Sequence, residues 1–259
     1  MEKTGRRPVS AVLIAYNEAH RIAGCLATLD WADEIVVVDS GSSDDTKEIA
    51  RRFTDRVYDI PWLGFGPQKQ AAVELASYDM VFSIDCDERA TPELAAEIGA
   101  ILAGTEVHAG YAIPRRTFLG STEIRHCGWY PDRTVRLFDR RRGRFSDDPV
   151  HERVIVDGAV GRCRSDLLHY SFAGIDDMLT KTRRYTDIAA YALFEEGRRC
   201  RLTDLTLRPL FAFFKTLVLR AGFLDGAAGL TVAAANGMSV FIKYVKLREL
   251  EMAKEEKLS

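Results

Sequence analysis

The 259-residue chain lacks a G-x-G-x-x-G between its first apolar run and the helix expected after it, and it has no G-x-x-x-x-G-K-[ST]. The first absence argues against a dinucleotide-binding fold, and the second excludes a P-loop nucleotidase on motif grounds. Five cysteines, at 25, 86, 127, 163 and 200, are odd in number, scattered, and form no C-x-x-C. That pattern argues against a disulfide frame or a zinc site and for a reducing compartment. There is no internal repeat and no low-complexity segment. The net charge of −2 offers no overall attraction to nucleic acid. The basic Lys3, Arg6 and Arg7 precede an apolar stretch that runs into Tyr16-Asn17-Glu18 without a small-residue cleavage site. A first β-strand is expected there, not a signal peptide. What is present is ordinary for a globular protein, 47% hydrophobic and 29% charged, and long enough for one α/β domain with an appendage.

The first half alternates strand and helix patterns. Ser10–Ala15 is an apolar strand, and 17–29 carries Ile22, Cys25, Leu26 and Leu29 at helical spacing. Glu34–Val38 is a second strand ending at Asp39, followed by a Ser/Gly turn and a helix capped by Asp44 or Asp45. A short strand at 56–59, a Gly/Pro loop at 61–67 and a helix over 68–76 lead into the apolar Met80–Ile84. This order predicts a parallel sheet wound with helices on both faces, with ligands beyond the carboxyl ends of the strands. Tyr16-Asn17, Asp39 and Asp85-Cys86-Asp87 all fall at such ends.

Asp85 and Asp87 are the candidate metal ligands. An extended backbone would turn both to one side, where a hard cation, Mg²⁺ or Mn²⁺, relieves their repulsion and holds a nucleotide diphosphate. The plainer reading is an acidic strand-to-helix loop, since Thr91-Pro92-Glu93 looks like a helix start. Asp39 can bind a base or ribose, or cap its own Ser-Gly-Ser turn. Lys69, opening a helix after Gly64–Gln68, can meet a phosphate; a solvated surface lysine is the alternative.

The strings I-A-Y-N-E, E-I-V-V-V-D-S-G-S-S-D-D-T and F-S-I-D-C-D-E resemble the nucleotide-sugar half of inverting family 2 glycosyltransferases. D-W-A-D-E ahead of the second string, Gly66-Pro67-Gln68-Lys69 and Y-P-D-R-T-V-R-L-F are similar to the narrower group that adds β-glucose to the inner-core heptose of lipopolysaccharide. The resemblance runs from about Val9 to Tyr170. It implies a GT-A fold (a Rossmann-like mixed α/β sheet flanked by helices), a UDP-sugar donor and a divalent metal. By position it places Ala15, Tyr16, Asn17 and Glu18 around the base, Asp39 at uracil or ribose, Gln68 and Lys69 near the nucleotide, and Asp85 and Asp87 at ribose and metal–diphosphate. The E-D pair common in the larger family as the base region is absent downstream of the D-x-D.

The second half must then supply the base. Strands are expected at 111–114 and 134–139, with Gly128–Arg133 between them. Trp129 and Tyr130 can stack on a sugar or simply pack. Arg133 and Arg136 can grip an anionic acceptor or the leaving diphosphate, or be surface arginines. An inverting transfer needs one carboxylate to take the acceptor's proton. The V-H-E string at 150–152 resembles a variant of the family's base segment, so Glu152 is the first candidate, with Asp147 and Asp148 next. His151 can orient acceptor or carboxylate, and His169 can meet the metal or diphosphate or be structural.

On this reading residues 1–172 form the catalytic domain, with a nucleotide-sugar half over about 8–104 and an acceptor half over about 105–172. Residues 173–259 form a helical extension. There, the apolar Leu210–Leu219 lies between Arg208 and Arg220, and a long stretch from Ala221 holds one charge, Asp225, before Lys243. That make-up suits an interfacial membrane helix better than a spanning one, with packing on the catalytic domain or a homo-oligomer through the C-terminal helices as the alternative. The expected partners are a UDP-sugar and a lipid-linked saccharide at the cytoplasmic face of the inner membrane, with no nucleic acid. A polyprenyl-phosphate or protein acceptor, or a nucleotide-sugar-binding scaffold without turnover, are the other readings.

Overall fold

The computed structural model describes residues 5–105, 108–146 and 152–256. Asp147, Asp148 and His151 therefore lie outside the described residues. The chain divides into two compact units, residues 1–116 with 132–169, and residues 117–131 with 170–259.

In the first unit, β1 (Val9–Ala15), α1 (Ile22–Leu26), β2 (Glu34–Asp39), α2 (Thr46–Ala50), β3 (Val57–Asp59), α3 (Phe65–Glu74) and β4 (Met80–Ser83) follow in order. The strands β2 and β4 both pair parallel with β1, and β3 pairs parallel with β2. Side-chain alternation explains why these strands read as unbroken apolar runs. Val9, Ala11 and Leu13 join one core with Phe82 and Ile84, while Val12, Val36, Val38 and Val81 join another on the opposite face. Both faces are covered, so both sets of residues are apolar.

After β4 come β5 (Glu88–Ala90), α4 (Pro92–Ala103), β6 (Gly110–Leu119), β7 (Thr122–Ile124), β8 (Asp132–Asp139), β9 (Gly143–Phe145), β10 (Val154–Val156), β11 (Val160–Arg162) and β12 (Leu167–Phe172). The strand order β3-β2-β1-β4-β8-β6-β12-β5 turns mixed at β8, which is antiparallel to β4. The result is the mixed α/β sheet expected of a GT-A fold. Thr91 caps α4 by accepting from the Leu94 amide at 3.1 Å, with Pro92 at the first helical position, as its sequence indicated.

Two helices differ from expectation for identifiable reasons. The helix over 17–29 shrinks to Ile22–Leu26, because Asn17 adopts φ +54° and the amides of Asn17, Glu18 and Ala19 are donated to Ser42, Thr46 and Asp44 side chains. The helix expected at 68 starts at Phe65, after Gly64 at φ +100°, a backbone region open to glycine. Lys69 therefore sits in the helix's second turn.

The second unit contains the tip of β6, β7, α5 (Ile175–Glu195), α6 (Leu202–Leu205), α7 (Leu207–Phe214), a π-helical turn (Lys215–Leu219), a 3₁₀ turn (Gly222–Asp225) and α8 (Gly226–Glu256). Residues 117–131, assigned from sequence to the acceptor half, cluster with these helices. The cause is burial: Ile124 and Cys127 share a core with Met178, Val232 and Ala235. Ala190 of α5 packs with Tyr244 and Leu247 of α8 in a second core.

Candidate active site

The D-x-D segment is not extended. β4 ends at Ser83, and Asp85–Glu88 forms a turn in which the Glu88 amide donates to the Asp85 carbonyl at 2.9 Å. The Asp85 amide in turn donates to the Glu88 carboxylate at 3.0 Å. The period-two reasoning that put both aspartates on one side therefore does not hold. The two carboxylates have different partners.

Asp85 is gripped by two cations. Lys69 Nζ lies 2.9 Å from Asp85 Oδ1, and Arg136 Nη2 donates to Asp85 Oδ2 at 2.5 Å. The same lysine donates to Glu152 Oε1 at 3.0 Å, and the same Arg136 nitrogen to Glu88 Oε1 at 2.6 Å. Arg115 then joins Glu88 at 3.3 Å and Asp132, with its Nε 3.1 Å from Asp132 Oδ2. A continuous line of alternating charge results: Glu152, Lys69, Asp85, Arg136, Glu88, Arg115, Asp132.

Burial makes this line consequential. Lys69 is 7% exposed, Arg136 5% and Glu88 0%. Burial alone would raise the Asp85 carboxyl, but Arg136 and Lys69 outweigh it and hold that group well below the usual carboxylate range. Burial likewise works against the Lys69 ammonium, and Asp85 foremost, with Glu152, overcomes it, so its pKa is raised. The Cys25 and Cys86 thiols, pushed far up by burial, donate to the Asp85 and Ile14 carbonyls and are packing groups.

Two features position this cluster. Gly66 lets the start of α3 approach Ser146 and Glu152: a Cβ there would stand 2.0 Å from the Ser146 carbonyl oxygen and 3.7 Å from Glu152 Cβ. Arg136 occupies a β-bulge. Val135 pairs with Ala112 and Leu137 with Tyr111, so Arg136 is the extra residue in the β8–β6 register. A bulge re-aims a side chain, and this one carries Arg136 into the interior. Arg136 was expected to grip an acceptor; its guanidinium is instead committed to Asp85 and Glu88.

Asp87 Oδ2 stands 3.6 Å from His169 Nε2. His169 stands opposite Glu88 in the β12–β5 register. Its Nδ1 is buried without a hydrogen-bond partner among the described residues. The carboxylate is the hard oxygen donor that suits Mn²⁺ or Mg²⁺, and the imidazole is a softer nitrogen donor beside it. Among the described residues no three His, Cys, Asp or Glu side chains form a complete metal-binding group, and Asp85 is already satisfied by cations.

The expected base-binding residues form a second cluster. Asp39 is fully buried and accepts from the Gly41 and Ser42 amides at 2.9 and 2.7 Å and from Ser42 Oγ at 2.5 Å. Ser42 Oγ also receives the Asn17 amide, and Asn17 Oδ1 accepts from the Ser43 amide. The turns after β1 and β2 are thus tied together, with Ala15 buried beneath and Tyr16 58% exposed. Gln68 is spent on structure: its amide holds Ser40 Oγ, the Ile60 carbonyl and the Leu63 amide. Arg133 is exposed and donates to the Cys163 carbonyl at 2.8 Å. Trp129 and Tyr130 belong to the second unit, where Trp129 packs on Phe172 with ring centroids 5.6 Å apart. Glu88, Arg115 and Asp132 were not anticipated. From sequence, Glu88 falls in the acidic loop after Met80–Ile84, Arg115 just past the strand at 111–114, and Asp132 in the segment 128–133 between strands.

The chain is similar to several known proteins. Residues 10–167 match Glycosyl transferase family 2. The lipopolysaccharide core biosynthesis glycosyltransferase LpsC of Rhizobium meliloti is 30% identical over 252 residues, covering 93% of this chain and 92% of that protein. An uncharacterized glycosyltransferase of Rickettsia conorii is 29% identical, covering 96% and 93%. Among solved structures, glucosyl-3-phosphoglycerate synthase from Mycobacterium tuberculosis, in complex with Mn²⁺, UDP and glucosyl-3-phosphoglycerate, is 29% identical over 44% of this chain and 45% of that one, with a TM-score of 0.33. The family match covers more than half of the chain: this protein belongs to glycosyltransferase family 2.

Proposed function

We propose that the protein transfers glucose from UDP-glucose, with inversion and with a divalent metal, to an inner-core lipopolysaccharide heptose at the cytoplasmic face of the inner membrane. The observation that carries this reading is the meeting of Glu152, Lys69 and Asp85 beside the Asp87–His169 pair. Glu152 takes the proton from the acceptor hydroxyl as that oxygen attacks the anomeric carbon. Lys69 orients Glu152 and supplies positive charge toward the diphosphate; Asp85 and Arg136 keep Lys69 in place. Asp87 and His169 would hold the metal, which when bound offsets the charge of the departing diphosphate. Asp39, Asn17 and the serines between them form the base and ribose end. The likeness to LpsC along nearly its whole length supports a core-lipopolysaccharide acceptor.

The test is a donor screen by thermal shift. Ligand that binds the folded state alone raises apparent stability by mass action. UDP-glucose with Mn²⁺ should raise the midpoint more than GDP- or dTDP-sugars, and EDTA should abolish the gain. Equal shifts with all three nucleotides, or none, would overturn the donor assignment.

A further inference from the structure

One face of the second unit has a composition that the transfer reaction does not use. α7 has no buried residue. Leu207, Leu210, Phe211 and Phe214 recur along it at three- and four-residue spacing, all exposed, and Leu219 and Phe223 continue the apolar surface at 62% and 57% exposure. The opposite side of α7 is satisfied by packing. A Cβ on Gly237 of α8 would stand 3.1 Å from the Pro209 carbonyl oxygen and 3.3 Å from Phe213 Cβ, and Asn236 donates to Thr216 at 2.7 Å. Phe213 is thus an inward residue and Phe214 an outward one.

The charges of the same stretch carry a second, independent signal. From 197 to 244 the sequence holds seven Lys or Arg (198, 199, 201, 208, 215, 220, 243) and two acids, Asp204 and Asp225. Both acids are turned inward. The Asp204 side chain is 2% exposed and pairs with Arg198 and Arg208. The Asp225 side chain is 5% exposed and bonds His126 Nδ1 at 2.8 Å. The outer surface of this stretch therefore offers hydrocarbon and cations with no exposed carboxylate.

We propose that this face docks on an anionic lipid surface, lying among the headgroups without crossing the bilayer. The proposal rests on the reading of a lipid-linked acceptor and names the surface that would hold the protein there. A second copy of the chain is the poorer fit, because self-docking about a two-fold axis sets the same cations against each other. A leaflet of anionic headgroups complements both the cations and the apolar side chains. Crossing is disfavoured on length and packing. Residues 207–219 of α7 and its π turn reach about 20 Å at helical rise, short of the ~30 Å hydrocarbon core. Among the described residues the one helix long and apolar enough to span, Gly222–Lys254, buries Val232, Ala233, Ala235, Tyr244 and Leu247.

The test is flotation of the whole protein with phosphatidylcholine vesicles, with and without phosphatidylglycerol, at low and high salt. Wild type should float with the anionic vesicles and be released by salt. The triple variant Leu210→Ser/Phe211→Ser/Phe214→Ser should bind about tenfold less or weaker still, with Mn²⁺–UDP affinity unchanged. Wild type that ignores anionic vesicles at low salt overturns the proposal, as does a triple variant that floats equally well. A wild-type dimer that the triple variant converts to monomer, without flotation, assigns the face to self-association instead. Mn²⁺–UDP binding in the same preparations separates failure of this proposal from failure of the enzymatic reading.

Discussion

The first unit hides charge in its interior, whereas the second displays hydrocarbon on α7 and, along residues 197–244, turns both of its acids inward. Lys69, Arg136 and Glu88 are nearly inaccessible yet each is ion-paired, while Leu210 and Phe211 are 66% and 58% exposed. Neither arrangement is the cheap one for folding. Buried ion pairs seldom stabilise more than well-packed apolar residues would, and contiguous exposed apolar side chains invite association. On the functions proposed above, the first unit would take a small, strongly charged ligand and the second an extended apolar boundary.

The two regions should therefore respond oppositely to mutation. Arg136→Ala leaves Asp85 and Glu88 without their shared guanidinium, and loss of one partner of a buried ion pair costs about 3–5 kcal/mol. Urea titration should show that loss. Phe211→Ser, on the exposed face, should stay within about 0.5 kcal/mol of wild type. If the two variants are equally stable, the charged line is not a packed core element.

Metal binding gives the next largest effect. Asp87→Ala or His169→Ala should weaken Mn²⁺-dependent UDP binding by at least about tenfold, read by calorimetry, with little change in urea stability. Loss of UDP affinity that persists equally in EDTA would remove both residues from the metal.

Acid sensitivity follows from the Asp85 carboxyl, whose folded pKa is lowered. The stability it contributes is complete above its unfolded value of about 3.9 and is lost as pH falls below that toward the folded value. Lys69, raised in the folded state, contributes fully below its unfolded value of about 10.4 and loses that contribution at higher pH. Asp85→Asn should flatten the acid limb of the stability curve, measured by urea midpoints from pH 2 to 6. An unchanged acid limb would assign acid sensitivity to other carboxylates.

Much of this contrast could be read before any coordinates. The β1, β2 and β4 strands announce themselves by apolar runs, and Lys69, Asp85 and Glu152 were each singled out from the sequence, though not their contact with one another. What escaped is non-local or irregular. The Arg136 bulge depends on pairing across 111–112 and 135–137, which no local pattern encodes. The Asp85–Glu88 turn mimics a strand end because Glu88 resumes strand pairing at once. The shortening of α1 depends on Ser42, Asp44 and Thr46 reaching across from another loop. The apolar run Leu210–Leu219 revealed the character of α7, but only the contact with Gly237 separates Phe213 from Phe214.

The central claim is that Glu152, held by Lys69, is the group that removes the acceptor proton. Glu152→Gln keeps the shape and removes the proton acceptor. Turnover is measured as UDP released from UDP-glucose with heptose-terminated core lipopolysaccharide, alongside Mn²⁺–UDP affinity. Turnover should fall by roughly 10²-fold or more with affinity nearly unchanged. Wild-type turnover in Glu152→Gln would contradict it and move the base to Asp147 or Asp148.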